Sequence, residues 1–238
     1  MTGEPTSATL TSFGGVGTVT GSRHLIEVAG SSVMVDCGLF QGLKDLRQRN
    51  WAPFPVDVAS LDAVVITHAH LDHCGYLPRL VSQGYRGQVY GTYDTGKLMS
   101  VVLPDSARLL EEEAGYANRK GFCKHHPALP LYTEDDAWAA MDLLQAVPFG
   151  EPVSVAPGVE VTFTPAGHIL GSAITRVQAG EASLVCSGDL GRSQHPFLRP
   201  PAPIGDADWV MLESTYGDRR HVAEDAVDVG DREFLAAN

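Results

Sequence analysis

The sequence contains no run of about 18 uninterrupted apolar residues, so no transmembrane helix is expected. Met1 to Thr9 has neither the charged nor the apolar region of a signal peptide. A soluble cytoplasmic protein with no membrane partner is the expectation. Cysteine is scarce: Cys37, Cys74, Cys123 and Cys186 are scattered without a Cys-x-x-Cys pair, which indicates neither a disulfide framework nor a thiolate zinc site. Cys74 directly follows His73, and packing at a helix start is the favoured reading over lining a site. Basic residues are also in deficit, 17 Lys and Arg against 29 Asp and Glu, for a formal net charge of −12. That balance argues against a surface that grips nucleic acid by counterion release alone. It leaves nucleic acid open, because metal ions add positive charge locally.

What is present in abundance is core material, with 44% hydrophobic residues in 238. One stretch organises the rest: Val64-Val65-Ile66-Thr67-His68-Ala69-His70-Leu71-Asp72-His73. Ala63 to Ile66 is apolar and β-branched enough to be a strand buried on both faces. A sharp loop after it would turn His68, His70, Asp72 and His73 toward one point. Imidazoles and a carboxylate so placed suit zinc, and four such residues usually divide between two metals.

Upstream, the alternating runs Ala8 to Phe13, His24 to Val28 and Ser32 to Val35 are separated by Gly-rich turns and predict a β-meander. The cluster from Gly14 to Gly21 reads as a turn, since no Gly-Lys-Ser/Thr ending follows. Asp36 closes the third strand beside Gly38, where a carboxylate can face a site. Downstream, Tyr76, Leu77, Leu80 and Val81 predict a helix ended by Gly84 and Gly87. After a short strand Gln88 to Tyr90, Asp94 or Thr95 is expected to cap a helical region that Pro104 breaks or kinks. Residues 118–132, with Phe122 and Tyr132, are the most basic segment and read equally as an anion contact or a surface loop. His125 and His126 are adjacent, point apart and are not read as ligands. Thr133 with Asp136 predicts a capped helix carrying Ala137, Met141, Leu144 and Val147 on one face.

Strands return from Val153 onward: Val159 to Thr164, Ala173 to Val177, Ser183 to Cys186 and Trp209 to Leu212. This order suggests two packed sheets with helices outside. His168 and Asp189 each follow a strand beside a glycine and complete the ligand-type set.

The order Asp36, His68-Ala69-His70-Leu71-Asp72-His73, His168 and Asp189 resembles motifs one to four of the metallo-β-lactamase superfamily. Glu213-Ser214-Thr215-Tyr216-Gly217-Asp218-Arg219 is similar to the first signature of its β-CASP branch, the RNA-processing nucleases. The segments 166–173, 187–191, 20–22 and 36–42 resemble the same branch. The resemblance implies an α/β four-layer αββα sandwich with metals at the mouth between the sheets. It implies two zinc ions, with manganese or iron as alternatives. His68, His70 and His168 would hold one, Asp72 and His73 the other, more weakly, and Asp189 would bridge them. Asp36 would orient the ligands. Asp72 would also help deprotonate the attacking water, and Glu213 would support the proton-donating machinery.

The implied function is hydrolysis of RNA phosphodiesters, with single-stranded RNA as substrate and a homodimer or association with a paralogue left open. β-CASP proteins continue through a large insert and two later contributing histidines, whereas the only later histidine here is His221. The expectation is therefore a partial protein, with a lactamase-like domain at 1–218 and the start of a missing cap at 219–238, binding metal but cleaving RNA poorly. The alternatives are a thioester or lactam metallohydrolase and a catalytically silent RNA-binding subunit.

Overall fold

Every second residue of the central apolar run faces a different core. A computed structural model describes residues 7–121 and 127–218 of the chain. Phe122, Cys123, His125, His126, Arg219, His221 and the whole 219–238 segment lie outside the described residues. The first sheet runs β1 (Ala8–Gly14), β2 (Arg23–Val28), β3 (Ser31–Val35), β4 (Ala63–Val65), β5 (Gln88–Gly91) and β6 (Leu144–Ala146), in spatial order β1-β2-β3-β4-β5-β6. The first three strands form the expected antiparallel meander, and β3 to β6 are parallel neighbours. Val64 and Ile66 point into a core shared with the helices, whereas Ala63 and Val65 point into a core shared with a second sheet. This alternation is why β4 needs apolar residues on both sides.

The second sheet contains β7 (Val153–Ala156), β8 (Val159–Pro165), β9 (Ala173–Ala179), β10 (Ala182–Cys186) and β11 (Trp209–Met211), in the order β11-β10-β9-β8-β7. It is antiparallel except for the parallel pair β10 and β11. Phe163, Val161 and Val177 meet Val33, Val35 and Val65 between the sheets. Helices α2 (Leu71–Cys74), α3 (Leu77–Ser82), α4 (Tyr93–Lys120) and α5 (Glu134–Met141) cover the other face of the first sheet, and a short α1 (Lys44–Gln48) precedes them. The outer face of the second sheet carries Ala166, Ile174 and Val185, with Leu190 and Ala207 from the 187–208 segment packed on them. Among the described residues the layer over that face is loop, not helix. No helix among them is long and apolar enough to cross a membrane.

Local expectations fail in three places. The cap of α4 is Thr92, whose side chain accepts from the Thr95 N–H, and not Asp94 or Thr95. Pro104 does not break the helix, which continues to Lys120: Met99, Leu103, Pro104 and Ala107 are all buried, and that burial offsets a proline cost of about 3 kcal/mol. Finally, α5 ends at Met141, and Leu144 opens β6 with Leu144 paired to Val89. Thr133 and Asp136 do form the reciprocal capping box at the start of α5. Thr133→Ala removes it and should cost about 1 kcal/mol. In a thermal melt that is a fall in Tm of about 2–4 °C.

Candidate metal centre

Each strand mouth delivers its side chains through a backbone that leaves no slack. β3 is followed directly by Asp36, a non-glycine residue held at φ 60°, a region that Asp tolerates better than most. Its Oδ1 accepts from the Thr67 N–H at 2.8 Å, and its Oδ2 accepts from Thr67 Oγ1 at 3.0 Å and from His73 Nδ1 at 2.7 Å. Asp36 is thereby buried without being bare. Thr67 also lies 3.1 Å from His68 Nδ1. Since the Thr67 hydroxyl donates to Asp36, it accepts from His68, which leaves His68 Nε2 as a lone pair facing the centre.

That nitrogen stands 3.0 Å from His70 Nδ1, which is 3.2 Å from His168 Nε2. Asp189 Oδ2 lies 3.6 Å from His68 Nε2 and 3.3 Å from His168 Nε2. All four donor atoms fall within 4.8 Å of one another. Tetrahedral zinc with bonds of about 2.1 Å sets its donors about 3.4 Å apart, close to the 3.0, 3.2, 3.3 and 3.6 Å separations here, so the donor set suits the ion. The other oxygen of Asp189, Oδ1, lies 3.3 Å from His73 Nε2. His73 therefore joins Asp36 on one side to Asp189 on the other, and Asp189 offers one oxygen to each half of the centre.

Asp72 does not belong to the four-donor group. It sits in the first turn of α2, where its carbonyl accepts from the Ser22 N–H at 2.9 Å and its charge acts on His70. Glu213 is not in that group either, and its Oε1 accepts from the Leu190 N–H at 2.7 Å. Cys74 is fully buried in the helix-side core and its thiol is pushed well up by burial, so it packs and does not line the centre.

Several contacts that hold the cluster in place give no signal in the sequence, even where the residue falls in one of the resembling segments. Ser172 Oγ accepts from the N–H of His168 and of Ile169, and the Gly171 carbonyl accepts from both Thr92 Oγ1 and Thr95 Oγ1. The N-terminus of α4 thus grips the His168 loop. Behind Asp36, the buried His24 bonds Ser12 Oγ through Nδ1 and Ser22 Oγ through Nε2. Only the finished fold brings these residues to the centre.

Electrostatics divides the histidines. Burial, with the charge of His73 added, drives His68 well below the ordinary imidazole value, and burial also lowers His70. Both are neutral and able to coordinate at physiological pH. Burial also opposes the charge on His73, but the charge of Asp36 and the hydrogen bonds to Asp189 and Asp36 outweigh it and lift His73 to about 10. Asp189, despite a burial effect in the other direction, is held well below the usual carboxylate range by His73 and its neighbours.

In the metal-free protein, His73 contributes stability that is fully present below pH 6.5 and is lost as pH climbs toward 10. His68 and His70 contribute in the opposite sense, with stability present above 6.5 and lost in acid. Thermal melts in chelator should therefore peak near pH 6.5. An ion at His73 Nε2 must displace its proton, so affinity there should rise about tenfold per pH unit between pH 7 and 9. Calorimetry in buffers of different ionisation enthalpy should find about one proton released per chain.

Residues 32–233 match the family described as a beta-lactamase superfamily domain. Ribonuclease TTHA0252 of Thermus thermophilus is 40% identical over 209 residues, covering 88% of this chain and 44% of that protein. Transcription termination factor FttA of Cenarchaeum symbiosum is 32% identical over 220 residues, covering 90% of this chain and 32% of the other. The chain spans less than half the length of these curated relatives. Among solved structures, the metallo-beta-lactamase fold protein YhfI of Bacillus subtilis gives a TM-score of 0.46 at 18% identity, over 76% of this chain and 62% of that one.

Proposed function

The chain belongs to the β-lactamase superfamily, and on that premise we propose that it carries the metal centre of a metal-dependent hydrolase that cuts RNA phosphodiester bonds. The observation that carries this reading is the convergence of His68, His70, His168 and Asp189 from two different sheets, with His73 on the second oxygen of Asp189. The RNA assignment draws on the relatives named ribonuclease and transcription termination factor.

In this reading His68, His70 and His168 would hold one zinc ion, His73 and Asp72 would hold a second, and Asp189, with an oxygen toward each half, would serve both. Two such ions, when bound, lower the pKa of a shared water and stabilise charge on the phosphate. Asp36 fixes the proton of neutral His73 on Nδ1, so that Nε2 is the coordinating atom. The Asp72 carboxylate, whose charge acts on His70, would help orient or deprotonate that water. With a formal charge of −12, the chain depends on bound cations to draw a polyanion to this mouth. Cytoplasmic residence and single-stranded RNA as substrate belong to the same reading.

The test is metal content by native mass spectrometry, followed by a panel of single-stranded RNA, S-lactoylglutathione and a β-lactam. Two ions per chain and cleavage of RNA alone are expected. Fewer than one ion would overturn the metal assignment, and turnover of the thioester or lactam without RNA would overturn the substrate assignment.

A further inference from the structure

The segment that carries Asp189 is gripped at both ends by one residue that lies just beyond another strand. β11 runs parallel to β10 with Met211 opposite Cys186, so Glu213 comes alongside the turn that follows β10. The Ser187 N–H donates to the Met211 carbonyl at 2.9 Å. The Glu213 N–H donates back to Ser187 Oγ at 3.0 Å, while that hydroxyl donates to the Gly188 carbonyl at 2.7 Å. Past Asp189, Glu213 Oε1 accepts from the Leu190 N–H at 2.7 Å. Leu190 N belongs to the peptide plane that Asp189 itself begins. Fixing that plane fixes the backbone rotation that aims the Asp189 side chain.

We propose that Glu213 is a positioning residue for the metal centre, acting through the Asp189–Leu190 peptide so that Asp189 presents Oδ2 to His68 and His168 and Oδ1 to His73. This rests on the metal-centre reading above. The aim matters because Asp189 serves two halves at once: a turn of its carboxylate that favours one oxygen moves the other away from His73. Glycines give the turn no rigidity of their own. Gly188 is at φ 54°, and Gly191 packs so tightly on Gly167 that an added Cβ would lie 1.7 Å from the Gly167 carbonyl oxygen. The loop is pinned at Gly191 and Ser187, and the Glu213 bond holds the peptide between them.

A positioning role and a proton-handling role make opposite demands. Positioning requires only an acceptor oxygen at the Oε1 position, which an amide also supplies, whereas proton handling requires the carboxyl group. E213Q and E213A therefore separate the two. Zinc affinity by chelator competition, and exchange protection of the Leu190 amide in the metal-free chain, are measured for both variants and for wild type. The expected result is that E213A weakens zinc by about tenfold and deprotects Leu190. E213Q, with a neutral acceptor replacing a charged one, should stay within about threefold of wild type and keep the amide protected.

An E213Q loss equal to that of E213A would overturn the proposal, as would wild-type affinity in E213A or an unprotected Leu190 amide in wild type. A wild-type chain that binds no zinc would instead overturn the metal-centre reading itself. Should E213A fail to fold, E213Q and the wild-type amide still decide.

Discussion

Asp189→Ala is expected to yield a chain that folds and no longer retains metal. Asp189 lies within 3.6 Å of ring nitrogens on His68, His73 and His168, so one truncation removes a donor from both halves of the centre. Loss of an outer partner alone typically weakens a site by about 10–100-fold. Loss of the shared ligand should therefore exceed about a hundredfold. The fold should survive, because Asp189 is partly exposed at the sheet mouth and His73 keeps its bond to Asp36. Zinc per chain after dialysis, with circular dichroism as control, reads the result. Retention near the wild-type level would sink the assignment of Asp189 as a ligand.

Gly38→Ala is expected to produce the largest loss of stability from a single added methyl. The Cβ would lie 1.6 Å from the Asp72 carbonyl oxygen and 2.1 Å from its carbon, both backbone atoms at the first turn of α2. On either side, Cys37 N–H donates to the His73 carbonyl and Leu39 N–H to the Leu71 carbonyl, at 2.7 and 2.8 Å. The segment after Asp36 cannot back away without giving up those bonds and the Asp36–His73 pair beside them. Overpacking in a rigid place reaches about 3 kcal/mol or more. For a domain of this size that is a fall of about 6–12 °C in Tm, accompanied by loss of metal. Gly42→Ala is the control: its φ is 79° but nothing lies within 4 Å of the added carbon, so it should cost about 1–2 kcal/mol in backbone strain and spare the centre. Equal losses for the two variants would show that the close approach at Gly38 is not what matters.

The cluster of His68, His70, His168 and Asp189 was legible because each member stands at a strand end beside a glycine or in the His68 to His73 stretch, and strands announce themselves by local alternation. The β1 to β3 meander and the two-faced burial of β4 were legible for the same reason. What escaped was set by contacts distant in sequence. β6 is three residues long and exists because β5 offers it an edge, so no periodicity marks it. Pro104 looks like a helix breaker until the core beneath it is counted. Thr92 reads as a residue before a helix, yet it caps α4 and also holds Gly171, 79 positions away. The Glu213 carboxylate was visible as part of a signature, but its partner on Leu190 was not.

The pairing of His70 with His168 spans 98 positions of chain, and it joins the mouth of the first sheet to the mouth of the second. During synthesis His68, His70 and His73 leave the ribosome before β8 to β10 exist to supply His168 and Asp189. A cation captured by the complete set closes a very long loop, and closing long loops is what most restricts an unfolded chain. Occupancy then reports a history as well as a chemistry: a chain that holds its ion firmly is one whose second sheet has already found the first.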